Sequence, residues 1–418
     1  MLYKYILFSK QFWHRHLWDQ ELLKRFLVIS LSTLFLTNFF EWSQPVYANQ
    51  TNNLSQQPNS ALPKEVETGL KYLLELVHKK GAVFDQVRIG PLLDFVGKGG
   101  YEAEKLDLAK YENYTGSCLR REISASLELI LRYAYNPSIP SFVVFPSVMR
   151  LCDWYPESDI VTSKAKLWNK LPTIDKPVLL WGKQYEVNTP DSFAGAYYRY
   201  DNKRLIILLK HKDRKVLVSV SKMLHKSEMG KKAVIIDNDN WNYFYSGIKG
   251  LNLKHISWMD TYMYDSSSVQ IYYEADHAAL RTVSMLFKWL SAGWLGINVV
   301  KRSHILEGSI RAVESLKKVI ESNSLPDPDD FARRVKQIKA MSEKEIDNKI
   351  KRYSINFERI AKNHKDMSKK KFARIIANGG YANVLNREER LAILMLEYLK
   401  GQLGKQALVE FDFSTLPK

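Results

Sequence analysis

Apolar residues recur every three or four positions over residues 64–155, and this spacing is typical of amphipathic helices. The first such pattern begins after Pro63 and ends at Gly81. A second pattern predicts a helix over residues 120–135, which Asn136 and Pro137 end. We therefore predict a mainly helical domain over residues 64–176.

Short apolar runs separated by turn residues predict an antiparallel β-rich domain over residues 177–275. The run RLIILLK at 204–210 has no polar alternation, which predicts a central strand covered on both faces. Turns are expected at residues 201–203, 211–214 and 265–268. The predicted strands cover residues 196–200, 204–210, 215–220, 233–237, 241–245, 255–264 and 268–274.

The pattern after residue 275 again predicts helices. Asp276 is placed to cap a helix that buries Leu280, Val283, Leu286, Phe287 and Leu290. The window 283–300 holds a single charge, on Lys288, so a membrane-spanning segment is an alternative. Its polar residues and two glycines favour instead a buried helix followed by a short strand over 296–300.

The C-terminal segment is predicted to be helical and basic. A helix is expected from Ser303, and residues 326–405 read as three or four short amphipathic helices. Capping patterns mark their starts, at Asp329 and Asp330, at Ser342 with Glu345, and at Asn386 with Glu389. Together these patterns predict an α+β fold with a helical N-terminal part, a central antiparallel β-rich domain, and a basic helical domain over 276–418.

The first 48 residues have the pattern of a secretory signal peptide. Basic residues precede an uncharged apolar run over 26–40, and Val46 and Ala48 suit a signal peptidase. Fifteen apolar residues span a bilayer poorly. We expect cleavage near Ala48 and a periplasmic or extracellular protein, with an uncleaved membrane anchor as the alternative. Residues 49–63 are polar and uncharged, which predicts a flexible tether.

The chain carries a formal charge of +17, and residues 301–418 hold 25 basic and 16 acidic side chains. A basic surface attracts anionic partners. For an exported protein these are an anionic envelope polymer, a lipid surface or a glycan, and a protein partner is another candidate. The sequence has no nucleic-acid-binding motif. The alternative is a solvated helical surface rich in lysine.

The sequence has two cysteines, Cys118 and Cys152. In an oxidising compartment such a pair predicts one disulfide, which closes a loop of about 35 residues and stabilises the fold by about 3–4 kcal/mol. Two separate buried thiols are the alternative. The histidine and cysteine spacings suit no metal site, and we expect neither a metal nor a cofactor.

The densest group of acid–base side chains is Glu274, Asp276 and His277. A carboxylate beside a histidine is suited to general acid–base catalysis. The simpler interpretation is that Asp276 caps a helix and Glu274 faces solvent. No nucleophile motif of a known hydrolase occurs in the chain.

Aromatic residues are concentrated in the predicted strands. Alternate positions place three of them on each of two strand faces, which are binding platforms for sugar rings if exposed and core if packed. Packing in the core is the favoured interpretation. The two sets are Trp241, Tyr243 and Tyr245, and Trp258, Tyr262 and Tyr264.

These patterns favour an exported, envelope-associated protein that is not an enzyme and that binds an anionic or glycan partner. One alternative is a hydrolase of cell-wall or secreted polymers that uses carboxylates such as Glu274 and Asp276. A passive structural or assembly partner is the other alternative.

Overall fold

The computed structural model describes residues 60–112, 114–164, 166–253, 258–276, 278, 280–367, 373 and 377–412. The predicted signal peptide and all but the end of the predicted tether lie outside these residues. Residues from Asn59 to Lys418 form a single compact unit.

The elements are numbered here in chain order. The strands are β1 (Ser60–Ala61), β2 (Leu106–Asp107), β3 (Thr115–Ile123), β4 (Met149–Trp154), β5 (Val178–Asn188), β6 (Ala196–Tyr197), β7 (Arg199–His211), β8 (Arg214–Met223), β9 (Lys231–Asp237), β10 (Asn242–Lys249), β11 (Thr261–Glu274), β12 (Thr282–Trp294) and β13 (Ile297–Asn298). The α-helices are α1 (Lys64–Leu76), α2 (Gly90–Lys98), α3 (Leu127–Ala134), α4 (Asp159–Thr162), α5 (Arg302–Ile320), α6 (Pro328–Lys339), α7 (Glu343–Ala361) and α8 (Arg387–Gln402). Short 3-10 helices lie at Gln86–Ile89, Ala103–Lys105, Ser141–Val143, Leu167–Thr173 and Tyr381–Val384.

A large antiparallel sheet of eight strands organises the unit. Its order is β13-β12-β11-β8-β7-β5-β4, and β3 pairs with β12. The predicted helical segments supply β3, β4 and β12, so all three predicted regions build one sheet. The α+β class is confirmed, and β7 lies in the interior of the sheet as the run RLIILLK predicts. A smaller sheet has the order β10-β9-β6.

Two helix predictions are wrong over part of their length. Residues 115–123 form β3, and the helix starts only at Leu127, where the Ser126 side chain accepts a hydrogen bond from the Leu129 amide. Residues 282–294 form β12, and Asp276 lies in the hairpin before it. The apolar positions of β12 fit a helical spacing because both of its faces carry apolar side chains, one packed against helices and the other lining a cavity. Apolar residues on both faces hide the alternation that identifies a strand.

Two predicted turns are also wrong. Residues 201–203 continue through β7, and residues 265–268 continue through β11, which shifts register between Met263 and Asp265. Polar residues in these stretches, including Asn202, Ser266 and Ser268, line an internal cavity. Their polarity therefore reflects a polar interior rather than a surface turn.

The C-terminal helices agree closely with their capping patterns. Ser342 and Asn386 each accept a hydrogen bond from the amide three residues later and form the capping boxes of α7 and α8 with Glu345 and Glu389. The cap of α6 is Asp327 rather than the predicted Asp329 or Asp330. Of the helices in the described ranges, none has both the length and the apolar character needed to cross a membrane.

The predicted disulfide is wrong, because both cysteines are free and buried. Cys118 lies on β3 beside β12, and Cys152 lies on β4 at the opposite edge of the sheet. The two thiols also belong to different apolar clusters. Burial raises the pKa of the Cys118 thiol to about 12, so the thiol stays protonated and unreactive.

Candidate functional site

The two faces of the main sheet have different partners. One face is apolar and packs against α1 and α2. The other face encloses a cavity of about 370 Å³, which α5 and residues 189–194 also line. This volume lies in the range of small-molecule sites, about 300–1,000 Å³. Cavity-lining residues of the sheet include Gln184, Glu186, Tyr200, Asn202, Arg204, Ser219, Ser221, Ser266, Ser268, Gln270, Tyr272, Leu286, Lys288, Leu290 and Ala292.

A row of paired residues crosses this cavity face. Arg204 on β7 pairs with Ser221 on β8, Ser221 pairs with Ser268 on β11, and Ser268 pairs with Lys288 on β12. The Ser221 and Ser268 hydroxyl oxygens lie 2.8 Å apart. Because side chains alternate along each strand, this register places all four on the same face. The row therefore carries a cationic residue near each end and hydroxyls between them.

The Arg204 charge is balanced within the protein. Its Nη2 donates to Glu186 Oε1 at 2.5 Å, and its Nε donates to Gln184 Oε1 at 2.8 Å. A buried guanidinium held by a carboxylate and an amide in this way is compensated and fixed in orientation. Arg204 and Glu186 together bring no net charge to the cavity.

A second arginine, Arg311 on α5, is also engaged by the protein. Its guanidinium donates to the Ser147 carbonyl at 2.5 Å and to the Pro190 carbonyl at 3.2 Å. Burial raises the pKa of the nearby Asp191 carboxyl, and hydrogen bonds from the Ala194 and Phe193 amides oppose that rise. These contacts hold the loop over residues 189–194 against α5 and form one wall of the cavity.

Lys288 differs from both arginines. Within the described ranges its ammonium has neither a hydrogen-bond nor an ion-pair partner. Burial lowers its pKa below the ordinary value of 10.5, Glu186 opposes that change, and Arg204 adds to it. Lys288 is partly buried, and its ammonium faces the cavity rather than closely packed protein. A partly buried ammonium without a protein partner is costly, and perturbed charges of this kind are common at functional sites. Lys288 therefore presents to the cavity an ammonium that no side chain in the described ranges pairs with directly.

Tyrosine hydroxyls complete the polar part of the cavity. Tyr135, Tyr200 and Tyr272 line it, and burial raises the pKa of each phenol above the ordinary value of 10. They remain neutral hydrogen-bond donors. Apolar side chains form the other walls, among them Phe145, Val148, Leu286, Leu290 and Ile305.

The proposed acid–base group lies apart from this cavity. Glu274 is 5% exposed and accepts a hydrogen bond from the Lys215 amide at 3.2 Å. Asp276 accepts one from Arg281 Nε at 3.1 Å. Neither carboxylate lines the cavity, and His277 lies outside the described residues. Both carboxylates are engaged by neighbouring residues of the chain. The simpler interpretation is wrong as well, because Glu274 is buried rather than facing solvent and Asp276 precedes a strand rather than capping a helix.

The first aromatic set belongs to the core, as the favoured interpretation predicted. Trp241, Tyr243 and Tyr245 are all buried. Tyr245 lies beneath the Arg150 guanidinium, whose Cζ is 3.7 Å from the ring centre, and Arg150 also pairs with Glu389. These contacts connect the small sheet to α8.

The second aromatic set does not share one strand face. Trp258 precedes β11 and is 74% exposed. Tyr262 lies beneath the Lys226 ammonium at 3.9 Å, and the Tyr264 hydroxyl accepts a hydrogen bond from the Gly296 amide at 2.9 Å. The exposed Trp258 and the hairpin that Tyr264 holds lie at the same end of the sheet.

The sequence shows Lys288 as an isolated charge but does not show that it faces a cavity. The single charge in window 283–300 counted there only against a membrane span. Read with the period of a strand, positions 284, 286, 288, 290 and 292 would have fallen on one face, with Lys288 at its centre. In the described ranges, no group of three or more histidine, cysteine or carboxylate side chains is arranged to hold a metal ion.

Comparisons with known proteins give no relative. No protein-family model, no curated protein and no solved structure matches this chain.

Proposed function

We propose that the protein binds a small amphipathic anion in the cavity, with the acidic head of the ligand against Lys288. The observation that carries this proposal is the uncompensated ammonium of Lys288 inside a largely apolar cavity. Arg204 and Arg311 already have protein partners, so Lys288 is the cation with free hydrogen-bonding capacity in the described cavity wall.

The neighbours of Lys288 suit a carboxylate or a similar acidic head. Ser268 pairs with Lys288 across the strands, and the Ser221 hydroxyl lies next to that of Ser268. These hydroxyls are additional donors for a second oxygen of the ligand. Leu286 and Leu290 flank Lys288 on the same face and suit an apolar chain. The arrangement favours one acidic head joined to an apolar body.

The expected gain from the head group is moderate. A hydrogen bond to a charged group contributes about 1.5–3 kcal/mol, which corresponds to about 10- to 100-fold in affinity. An anion also removes the cost of the unpaired buried ammonium. We therefore expect head-group charge, rather than chain length alone, to determine which ligand binds.

Calorimetric titration with three ligands of equal chain length tests the proposal. Decanoate, decanol and decylammonium share one apolar chain and differ only in the charge of the head. We expect decanoate to bind most tightly, decanol about 10-fold or more weakly, and decylammonium not measurably. Equal affinities for decanoate and decanol would contradict the proposal.

Two variants and a control connect binding to the cavity. Lys288→Met keeps most of the side-chain volume and is expected to reduce decanoate binding to the level of decanol. Leu290→Trp fills the cavity and is expected to weaken both ligands. Lys226→Met removes an exposed lysine and is expected to change neither. Loss of decanoate binding in the Lys226 variant would place the site on the surface.

Export and envelope association remain part of the proposal. The leader over residues 1–48 and the surplus of basic residues in 301–418 support them. Binding to an envelope polymer or a glycan stays a prediction, which co-sedimentation with peptidoglycan at low and high salt would test. The hydrolase alternative predicts release of soluble fragments, and Glu274→Gln would abolish that release.

A further inference from the structure

Several exposed apolar side chains lie at one end of the main sheet, near the hairpin between β12 and β13. Nine large hydrophobic residues are exposed among the described residues, and five of them lie at this end, on loops or in the terminal parts of β10 and β13. The remaining four are Val83, Val87, Leu280 and Ile355. We call the five the apolar rim: Phe193, Ile248, Trp258, Leu295 and Ile297.

Backbone hydrogen bonds show that the segments carrying the rim are neighbours. The Asn252 amide donates to Ala194 at 2.9 Å, and the Gly250 amide donates to Gly230 at 2.8 Å. The Gly230 amide in turn donates to Thr261 at 2.8 Å. Thr261 is paired with Trp294, the last residue of β12. The segments that carry Phe193, Ile248, Trp258 and Leu295 are therefore neighbours.

Exposed residues line the cavity beside the rim, and we take this opening as the cavity mouth: Ser192, Phe193 and Glu307. Phe193, Trp294 and His304 all line the cavity, and the Phe193 ring stacks on His304 with centroids 4.8 Å apart. Leu295 follows Trp294 directly and lies in the hairpin between β12 and β13. A surface that contacts the rim would therefore lie next to the cavity mouth.

Leu295 has an unfavourable backbone conformation, and its apolar side chain is exposed to solvent. It has φ of 51° and is followed by Gly296 with φ of 78°, and two central residues of positive φ define a type I′ hairpin turn. Asparagine, aspartate or glycine suits the first of these positions, and leucine does not. An apolar side chain that is 70% exposed on a strained turn suggests a role outside folding.

Lysines lie among the apolar tips. Lys226, Lys249 and Lys301 are exposed at this end. Glu228 is engaged by Arg199 and Lys231, at 3.9 and 3.8 Å. Exposed Asp260 and Glu307 reduce the local surplus but leave it positive, and the whole chain carries +17. The charge complements an anionic surface.

We propose that the apolar rim docks the protein onto an anionic lipid surface, with the cavity mouth toward the bilayer. Apolar tips on separate segments with lysines between them suit shallow insertion at the head-group level, where tryptophan is also favoured. Burial of each apolar tip and attraction of each lysine to anionic head groups both favour binding. Docking stands without the proposed function, while delivery of a ligand from the bilayer rests on it.

A pair of fluorophore positions tests docking in the full chain. Leu295 and Leu280 are 70% and 69% exposed and lie beyond opposite ends of β12. Leu295→Cys and Leu280→Cys are each labelled with an environment-sensitive dye, since both native thiols are buried. Vesicles of phosphatidylglycerol and phosphatidylcholine should shift the dye at 295 to the blue and leave the dye at 280 unchanged. The dye reports locally, so binding through the apolar run 26–40 does not imitate this result.

Equal shifts at both positions, or none at 295, would overturn the proposal. A shift at 295 that grows with protein concentration in the absence of vesicles would also overturn it, because the rim would then contact a second copy of the chain. Vesicles of phosphatidylcholine alone should give a smaller shift than the anionic vesicles.

An asparagine substitution separates docking from folding. Asparagine tolerates the left-handed conformation of position 295, so Leu295→Asn should keep or raise thermal stability. It should weaken anionic-vesicle binding of residues 59–418, the compact unit, about 10-fold or more, while Leu280→Asn leaves it unchanged. Decanoate binding should be the same in both asparagine variants, and Lys288→Met should leave vesicle binding unchanged. The docking proposal and the ligand proposal can therefore be contradicted independently of each other.

Discussion

The two faces of the main sheet are built by the same strands and differ in almost every other respect. On β12, Phe287 is fully buried on the face packed by α1 and α2, while its neighbours Leu286 and Lys288 line the cavity. The packed face is complete without any further molecule. The cavity face holds polar and charged side chains that packing does not require. This difference is why the cavity face, and not the packed face, is the proposed ligand site.

The largest expected effect breaks the packed face. Phe287→Ala should lower the free energy of unfolding by about 3–5 kcal/mol, because it opens a void among tightly packed side chains. Leu286→Ala removes an apolar side chain that borders existing empty space, so its cost should be less than half as large. Urea unfolding of the two variants measures the contrast. Equal costs would mean that the cavity face is as tightly packed as the other.

The next effect comes from the charge pair on the cavity face. Glu186→Leu leaves the buried Arg204 guanidinium without its carboxylate and should destabilise the fold by about 3 kcal/mol. The double variant Glu186→Leu, Arg204→Met removes both charges and should recover most of that loss. A double-mutant cycle from denaturant unfolding gives the coupling. No recovery in the double variant would show that the two side chains act independently.

A smaller and opposite effect is expected at Lys288. Lys288→Met removes a charge that has no protein partner, and it should stabilise the protein by about 1–2 kcal/mol at a pH where Lys288 is protonated. The pKa of Lys288 is lower in the folded protein than its ordinary 10.5, so the unfolded chain holds the proton over the interval between the two values. Stability of the wild type therefore rises with pH across that interval, and the advantage of the methionine variant shrinks. Thermal midpoints measured over this range for both proteins would check the sign.

The smallest effect concerns the cysteines. A disulfide would make the fold sensitive to reductant by about 3–4 kcal/mol. Because Cys118 and Cys152 are free, adding reductant should change the free energy of unfolding by less than about 0.5 kcal/mol. Alkylation of the unfolded, unreduced protein should label both thiols. Absence of labelling would show that the two cysteines form a disulfide after all.

Much of the fold follows from local patterns, and the errors have two physical causes. Caps at Ser342 and Asn386 were predictable because capping depends on a few neighbouring residues. Strand β12 was mistaken for a helix because both of its faces carry apolar side chains. Asn202 and Ser268 suggest turns in the sequence because they form part of the polar wall of an internal cavity.

The site could not be predicted from local patterns, because it depends on register between distant strands. Arg204 and Lys288 are separated by more than eighty positions and come together only through the pairings of β7, β8, β11 and β12. The predicted disulfide between Cys118 and Cys152 is wrong for the same reason, because the order of the strands sets the distance between the two cysteines. Only the isolated charge in window 283–300 was a local sign of the site.

The pH dependence of decanoate affinity, measured for the wild type and Lys288→Met, tests the central claim most directly. Decanoate stays ionised between about pH 7 and about pH 10, so titration of the ligand does not contribute. The account predicts that wild-type affinity falls as the pH rises through the lowered pKa of Lys288, while the methionine variant binds weakly at every pH. A wild-type affinity that does not change with pH, or equal binding by the two proteins, would contradict it.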